Sequence, residues 1–225
     1  SICKTDLISQ SVGEFPELQG VMGSYLSQAQ GFDKDIVDAI KEQYLPIGLD
    51  SFVPKKKYSI ALSLSDRVDT LTGFFGVNEK PSSSKDPYAL RRVALGIIRI
   101  IIENKIDLKI SDLISYSSNI YLDQNFEFSN NALQKDILNF LNDRLRYYLK
   151  EKNIRHDIID ASTKALNLNK ISIIFEKAKS LNKVIDKQIG ADIVSAYKRA
   201  SNILNAESKN INENLSNTTD PGIFK

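Results

Sequence analysis

The spacing of apolar residues along the chain predicts a protein built from α-helices. Apolar positions recur three and four residues apart, as they do on one face of a helix. The segments with this spacing are residues 17–30, 35–44, 58–76, 87–103, 107–121, 132–152, 155–166, 170–185 and 189–207. Because neither paired strand patterns nor internal repeats occur between them, the predicted fold class is all-α.

Polar and irregular stretches separate the predicted helices. Residues 45–57 and 77–87 contain prolines and are predicted to be long loops. The segment 121–131 is polar and irregular, which predicts a domain boundary near residue 125. A helical region follows to residue 207, and we expect residues 208–225 to form a polar tail that is flexible or truncated.

One predicted helix combines a strongly apolar face with three arginines. It begins with the capping pair Asp-Pro at 86–87 and includes the sequence LRRVALGIIRI. Arg92 and Arg99 are seven residues apart and therefore share a face, whereas Arg91 points about 100° away. Gly96 lies between Arg92 and Arg99, where a residue without a side chain allows another backbone to approach closely.

The sequence leaves two interpretations of these arginines open. They form a ridge that contacts phosphate groups, with Lys85 nearby, or they pair with carboxylates such as Asp66, Asp69 or Glu103. Two further basic clusters are candidates for phosphate contact. They are Lys55, Lys56 and Lys57 in a predicted loop, and Arg144 and Arg146 beside two tyrosines in a later helix.

Composition restricts the binding and the chemistry that the chain can support. Its 225 residues include 30 basic and 28 acidic ones, a net charge of +2, so nucleic-acid binding requires a local basic patch. The single cysteine, Cys3, allows no disulfide within the chain, which is typical of a reducing cytoplasm. The longest apolar run, residues 93–102, is too short to cross a membrane. Since the sequence starts without Met or a signal-peptide pattern, we expect it to begin inside a longer protein.

Few residue patterns suggest catalysis. The sequence has no phosphate-binding loop, dinucleotide fingerprint or Ser-His-Asp set. Asp66 and Asp69 share a predicted helix face, where they could bind a divalent cation or simply form ion pairs. The dipeptide His156-Asp157 matches the name of the histidine-aspartate (HD) phosphohydrolases, but the only histidine of the chain cannot hold their metal alone. We therefore predict no catalytic residues and no metal site.

Four stretches carry a family resemblance. Residues 13–25 read GEFPELQGVMGSY, residues 63–103 include SDRVDTLTGFFG and KDPYALRRVALGIIRI, residues 143–161 read DRLRYYLKEKNIRHDIIDA, and residues 196–204 read AYKRASNIL. Together they resemble the bacterial glycyl-tRNA synthetase beta subunit family over nearly the whole chain. The loop SSSKDPY differs from the family's usual GSKDPF by the loss of a glycine.

The resemblance implies a fold and a role. Residues 1–125 would form an HD-like helical bundle, with Asp6 and Asp66 as remnants of metal-ligand positions, and residues 126–207 would lead toward an anticodon-binding domain. The chain would be a non-catalytic, tRNA-binding part of a glycine–tRNA ligase, a cytoplasmic heterotetramer. Its partners would be glycine tRNA and a separate alpha subunit that holds ATP, Mg²⁺ and glycine. No cofactor is therefore expected in this chain.

Under this resemblance, the basic residues become candidate tRNA contacts. They are Lys85, Arg91, Arg92, Arg99, Lys55, Lys56, Lys57, Arg144 and Arg146. Two alternatives stay open. One is a metal-dependent HD-type phosphohydrolase, and the other is a scaffold that docks the alpha subunit without contacting RNA.

Overall fold

The computed structural model describes residues 3–128, 130–164, 170–185 and 187–217. Within these ranges all regular secondary structure is helical, which confirms the all-α prediction. The chain divides into two compact units, Ser1–Ala178 and Lys179–Lys225. The domain boundaries predicted near residues 125 and 207 stay predictions.

The described ranges contain two short 3₁₀ helices and ten α-helices. The 3₁₀ helices are Thr5–Ile8 and Pro16–Leu18. The α-helices are α1 (Gln10–Glu14), α2 (Val21–Ala29), α3 (Lys34–Glu42), α4 (Lys57–Gly76), α5 (Leu90–Glu103), α6 (Ile110–Asp123), α7 (Asn130–Glu151), α8 (His156–Lys164), α9 (Ile171–Val184) and α10 (Gln188–Asn217). None of these helices is long and apolar enough to span a membrane.

Helix α5 lies in the core of the first unit. Its side chains Leu90, Ile97 and Ile98 are almost wholly buried, as the apolar pattern predicts. Helix α4 packs against α5 and also contacts α3, α6 and α7, while α7 packs against α5 and α8. On α7, apolar residues four apart are buried at Ile137, Leu141, Leu145 and Leu149. These packed faces fix the backbone from which the basic side chains of α5 extend.

The start of α5 differs from the prediction. The helix begins at Leu90 rather than at Pro87, and Ala89 has a left-handed backbone conformation with φ 52°. The predicted capping role of Asp86 is nevertheless confirmed. Its carboxylate accepts hydrogen bonds from the N–H groups of Leu90 at 2.8 Å and Arg91 at 3.0 Å. The cap therefore acts across an intervening turn, which the sequence pattern did not reveal.

Helix α2 buries small residues instead of its larger apolar ones. The apolar spacing in residues 17–30 predicts that Tyr25 and Leu26 lie on the apolar face of this helix, but their side chains are 61% and 43% exposed, whereas Gly23 and Ser27 are buried. A Cβ atom on Gly23 would lie 2.9 Å from Ile40 Cγ2 of α3. Close approach to α3 thus decides which face of α2 is buried, and the predicted apolar face is wrong for this helix.

The second unit contains the end of α9 and the long helix α10. Three apolar side chains spaced four residues apart on α10, Ile189, Ile193 and Tyr197, are more than half exposed. Helix α10 includes residues 208–217 of the predicted tail, and residues 218–225 lie outside the described ranges. All the candidate tRNA contacts belong to the first unit.

Candidate nucleic-acid interface

Arg99 is buried and bonded within the protein. Its Nε donates to Glu103 Oε1 at 2.7 Å, its Nη2 donates to the Ser51 carbonyl at 2.6 Å, and its Nη1 donates to the Gly48 carbonyl. Only 7% of the side chain is exposed. The ion-pair interpretation is thus the one that the structure supports for Arg99, with Glu103 as the carboxylate. Contact with RNA through Arg99 would require the loss of these bonds.

Arg91 holds the loop that precedes α5. Its Nη2 donates to the Ser82 carbonyl, and its Nη1 lies 3.9 Å from Asp86 Oδ2. About a third of the side chain remains exposed. Arg91 is therefore primarily a loop anchor, and its contact with RNA stays a prediction.

Arg92 and Lys85 are the candidates near α5 that remain available to a partner. Both are exposed, and among the described residues neither side chain has a hydrogen bond or an ion pair. We name these two side chains the α5 basic surface. The Asp86 carboxylate accepts hydrogen bonds from the first N–H groups of α5, so the helix N-terminus is not free to bind an anion. Any phosphate bound here would pair with the side chains and not with the helix N-terminus.

The lysines of the 45–57 loop differ from one another. Lys55 Nζ donates to the Glu103 carbonyl at 3.2 Å. Lys56 forms an ion pair with Asp38, and this hydrogen bond raises the pKa of Lys56 and lowers that of Asp38. Lys57 is exposed at the start of α4 and has no side-chain partner in the described part of the chain. Of these three lysines, Lys57 is the one that is as available for phosphate contact as the α5 basic surface.

Arg144 and Arg146 contact neighbouring side chains of the protein. Arg146 Nη1 donates to Thr163 Oγ1 at 2.8 Å, and its Nη2 forms an ion pair with Asp160 of α8. Arg144 lies over the ring of Phe140 at 5.9 Å from its centroid. Arg146 connects α7 to α8, and Arg144 packs on an aromatic ring of its own helix. RNA contact through these two arginines stays a prediction, and their charges are less exposed than those of the α5 basic surface.

Sequence reasoning missed Arg67, a buried residue of α4. Its guanidinium donates to the carbonyls of Tyr44 and Pro46 at 2.9 Å each and more weakly to that of Gln43. It passes directly over Gly96, where a Cβ atom would lie 2.3 Å from Arg67 Nε. The glycine was expected to admit a backbone, and it admits this arginine side chain instead. A glycine in the middle of an apolar helix was the available signal.

The two predicted remnants of a metal site are both bonded to the protein. Asp6 is wholly buried, and its Oδ2 accepts from the N–H groups of Gly20 at 2.7 Å and Gly23 at 3.1 Å. Asp66 forms an ion pair with Lys4. Burial lowers the pKa of Lys4, but Asp66 more than offsets this, so the pKa is raised. Their origin as metal ligands stays a prediction.

The other acidic candidates also have local partners. Burial, followed by the nearby Asp69 carboxylate, raises the pKa of Tyr121 to about 12. His156 is 80% exposed at the start of α8, with Nδ1 3.5 Å from Asp160 Oδ2. Asp157 lies in the first turn of α8, where its negative charge is favourable beside the positive end of the helix dipole. Within the described ranges, no three His, Cys, Asp or Glu side chains are grouped so that they could hold a metal ion.

The fold and the site define an all-α protein with an exposed basic surface and with its central carboxylates in internal contacts. A family model described as "Glycyl-tRNA synthetase beta subunit" matches residues 1–164. The chain belongs to this family.

Curated relatives agree with the match. The glycine–tRNA ligase beta subunit of Ruegeria sp. (strain TM1040) is 38% identical over 209 residues, which are 92% of this chain and 29% of that protein. The beta subunit of Rickettsia canadensis (strain McKiel) is 42% identical over 206 residues, 90% of this chain and 29% of that protein. The chain therefore spans less than a third of the length of these relatives.

Proposed function

We propose that this chain is a non-catalytic, tRNA-contacting and scaffolding part of a glycine–tRNA ligase beta subunit. The single observation that carries the tRNA contact is the α5 basic surface. Arg92 and Lys85 are exposed and unpaired within the described residues, while Arg99 on the same helix is bonded internally. In a chain of net charge +2, two uncompensated cations beside a rigid helix form a local site for phosphate.

The rigidity of α5 supports this role. Arg92 is flanked in the helix by Leu90 and Ala94, which are 1% and 0% exposed, so its backbone is held in the core. A guanidinium on a fixed backbone loses less conformational freedom on binding phosphate than one on a mobile loop. Lys85 extends the positive charge along the loop before the helix. Lys57 is the next candidate because it too is exposed and unpaired among the described residues.

The family membership supports the remaining parts of the proposal. The chemistry of the ligase, with ATP, Mg²⁺ and glycine, belongs to an alpha subunit, and this chain holds neither cofactor nor catalytic residue. Its partners are that alpha subunit and glycine tRNA, and its compartment is the cytoplasm. The relatives that support this proposal are named as beta subunits of glycine–tRNA ligase.

The test is a titration of fluorescently labelled glycine tRNA, followed by anisotropy at several salt concentrations. The chain is compared with the variant Arg92→Gln/Lys85→Gln. Loss of two phosphate contacts should lower the slope of log affinity against log salt by roughly two units. The variant should fold normally, because neither side chain has a partner among the described residues.

The matched control is Lys109→Gln/Lys135→Gln, which removes the same charge from exposed lysines near α6 and on α7. It should leave the salt slope within about half a unit of the original value. An equal loss in both variants would attribute binding to net charge and contradict the α5 basic surface. Absence of any salt-sensitive binding would favour a scaffold that docks the alpha subunit alone.

A further inference from the structure

An open cavity of about 480 Å³ adjoins the α5 basic surface, with Arg92 in its wall. Its walls come from the segment 16–19, the loop after α3, and helices α4 and α5. The charged side chains of the lining are those of Glu17, Asp66, Arg67 and Arg92, and Ile47 lies at the exposed part of the wall. Its volume lies within the range of about 300–1,000 Å³ that is typical of small-molecule sites.

The cavity wall contains a buried positive charge that, among the described residues, has no hydrogen bond to a carboxylate. Arg67 is 7% exposed, and among the described residues its hydrogen bonds run only to main-chain carbonyls. Its Nε–H is buried and donates to no acceptor in that part of the chain. Burial lowers the pKa of Arg67 to about 10, so the side chain stays charged at neutral pH. A buried cation that is held by main-chain carbonyls, with Asp66 as its nearby carboxylate, creates a positive potential that favours an anion.

The other charges of the cavity leave this potential in place. Asp66 forms an ion pair with Lys4 and also attracts Arg67, so its single negative charge faces two cations. Arg92 lines the cavity with an exposed guanidinium that has no described partner. Glu17 is exposed and is the remaining acid of the lining. Two arginines against one unpaired carboxylate make the cavity net positive.

The neutral walls favour a ligand with an apolar body. Pro16, Pro46 and Val93 present apolar surface, and the Tyr44 hydroxyl lies buried near the Gln19 side chain. A concave, mostly apolar site with a few convergent polar groups suits a small molecule. An RNA duplex is contacted across wide grooves and many phosphates, whereas a cavity of about 480 Å³ has the volume of a small-molecule site.

We propose that this cavity binds a small organic anion, whose phosphate or carboxylate group pairs with Arg92 and whose apolar body lies against Pro16, Pro46 and Val93. The site adds a small-molecule function to the chain and shares Arg92 with the α5 basic surface. Arg67 supplies a fixed positive potential at its wall. Arg92 supplies the direct bidentate contact, for which its fork of donors is suited.

Isothermal titration calorimetry of the full chain tests the proposal with three probes: phenyl phosphate, benzoate and inorganic phosphate. At least one aromatic anion should bind at one site with a Kd of about 1 mM, and the comparison of the two identifies the preferred acid group. Inorganic phosphate should bind at least roughly tenfold more weakly, because it lacks the apolar body.

Two variants locate the site. Arg92→Gln should weaken the aromatic anion at least roughly tenfold. Ile47→Asp should do the same by adding a carboxylate to the wall, and it should fold because Ile47 is 60% exposed. Lys85→Gln, outside the lining, should leave the Kd within about twofold while still reducing the salt slope of tRNA binding.

Several results would overturn the small-ligand site. They are no binding of either aromatic anion at 20 mM (about twenty times the expected Kd), equal binding of inorganic phosphate, or unchanged binding in Arg92→Gln. Binding of 5′-phosphorylated tRNA that is lost in Ile47→Asp, without binding of phenyl phosphate or benzoate, would assign the cavity to an RNA end instead. Loss of tRNA binding in Lys85→Gln alone bears only on the α5 basic surface.

Discussion

Arg92 and Arg99 lie on the same face of α5, yet their side chains have opposite surroundings. Arg99 is fixed by the carboxylate of Glu103 and by two carbonyls of the loop after α3, and it is 6% exposed. Arg92 belongs to the α5 basic surface, and its exposed side chain has no hydrogen bond or ion pair among the described residues. Arg99 therefore contributes to stability, and Arg92 is available for binding.

Replacement of Arg99 by Met should lower the free energy of unfolding by roughly 2–3 kcal/mol, because three internal acceptors lose their donor. Arg92→Met is the matched control and should stay within about 0.5 kcal/mol of the original chain. Urea unfolding followed by circular dichroism measures both values. Equal stability of the two variants would show that the Arg99 bonds contribute nothing net.

Gly96 lies inside a helix, where alanine is usually more stable than glycine, yet we expect no larger residue to be tolerated at this position. Alanine there would gain roughly 1 kcal/mol of helix propensity, but its Cβ would lie 2.3 Å from Arg67 Nε and would displace the guanidinium from its carbonyls. We expect Gly96→Ala to lower the free energy of unfolding by roughly 2–4 kcal/mol.

Gly13 offers the control for this prediction. It lies in α1, and a Cβ there would meet nothing within 4 Å. Gly13→Ala should therefore be neutral or stabilise by up to about 1 kcal/mol. Thermal unfolding of the two variants separates the effects, and a stable Gly96→Ala chain would mean that Arg67 can move without loss.

At this scale the sequence could predict the partner of Arg99 in its own helix but not its partners in a distant loop. A spacing of seven residues places Arg92 and Arg99 on one face, and Glu103 was among the carboxylates predicted to pair with these arginines. The pair between Arg99 and Glu103 is present. It could not place Gly48 and Ser51, whose carbonyls reach Arg99 from about fifty positions earlier in the chain. Long-range contacts of a proline-containing loop have no periodic signal.

Among the helical elements, α7 and α8 are joined by a contact that should depend on pH. Arg146 of α7 forms an ion pair with Asp160 of α8 and donates to Thr163 Oγ1. The hydrogen bond from Arg146 lowers the pKa of Asp160 below its ordinary value of 3.8. Since the folded-state pKa is the lower one, this pair stabilises the fold above the ordinary pKa and loses that effect as pH falls through the folded-state value.

The variant Asp160→Asn should therefore have a lower urea midpoint than the original chain at about pH 6, and the two midpoints should converge as pH falls below 3.8 and through the folded-state pKa of Asp160. Asp143→Asn removes an exposed acid of α7 without a described partner and should differ little from the original chain at either pH. A difference for Asp160→Asn that persists at low pH would assign its effect to packing instead of charge.

The elements were predicted well where a wide apolar face is buried and less well at ends and close contacts. The buried positions of α7 follow their fourfold spacing, and Asp86 was recognised as the cap of α5. The predicted start of α5 at Pro87 was wrong because Ala89 has a left-handed backbone conformation, which no local sequence pattern required. The prediction of which face of α2 is buried was wrong because close contact with α3 favours glycine and serine on the buried face.

For the whole molecule, the proposed site lies entirely in the first compact unit, Ser1–Ala178. The chain spans less than a third of its relatives' length, so its absolute affinity for tRNA should be weak without the effective concentration that further contacts provide. Its net charge of +2 also gives little bulk attraction. The salt slope, which counts phosphate contacts, is therefore a better measure of the site than the affinity itself.

A chain that ends after Val184 keeps the first unit and the whole of α9, and it should still unfold in one cooperative transition. Within it, Arg92→Gln/Lys85→Gln should still lower the salt slope of tRNA binding by roughly two units, because both side chains and the helix that holds them are retained. Anisotropy titrations of the shortened chain and its variant measure this difference, with thermal unfolding as the check on folding. If a folded shortened chain loses the difference between the two, the RNA contact needs residues after Val184, and the α5 basic surface alone is not the site.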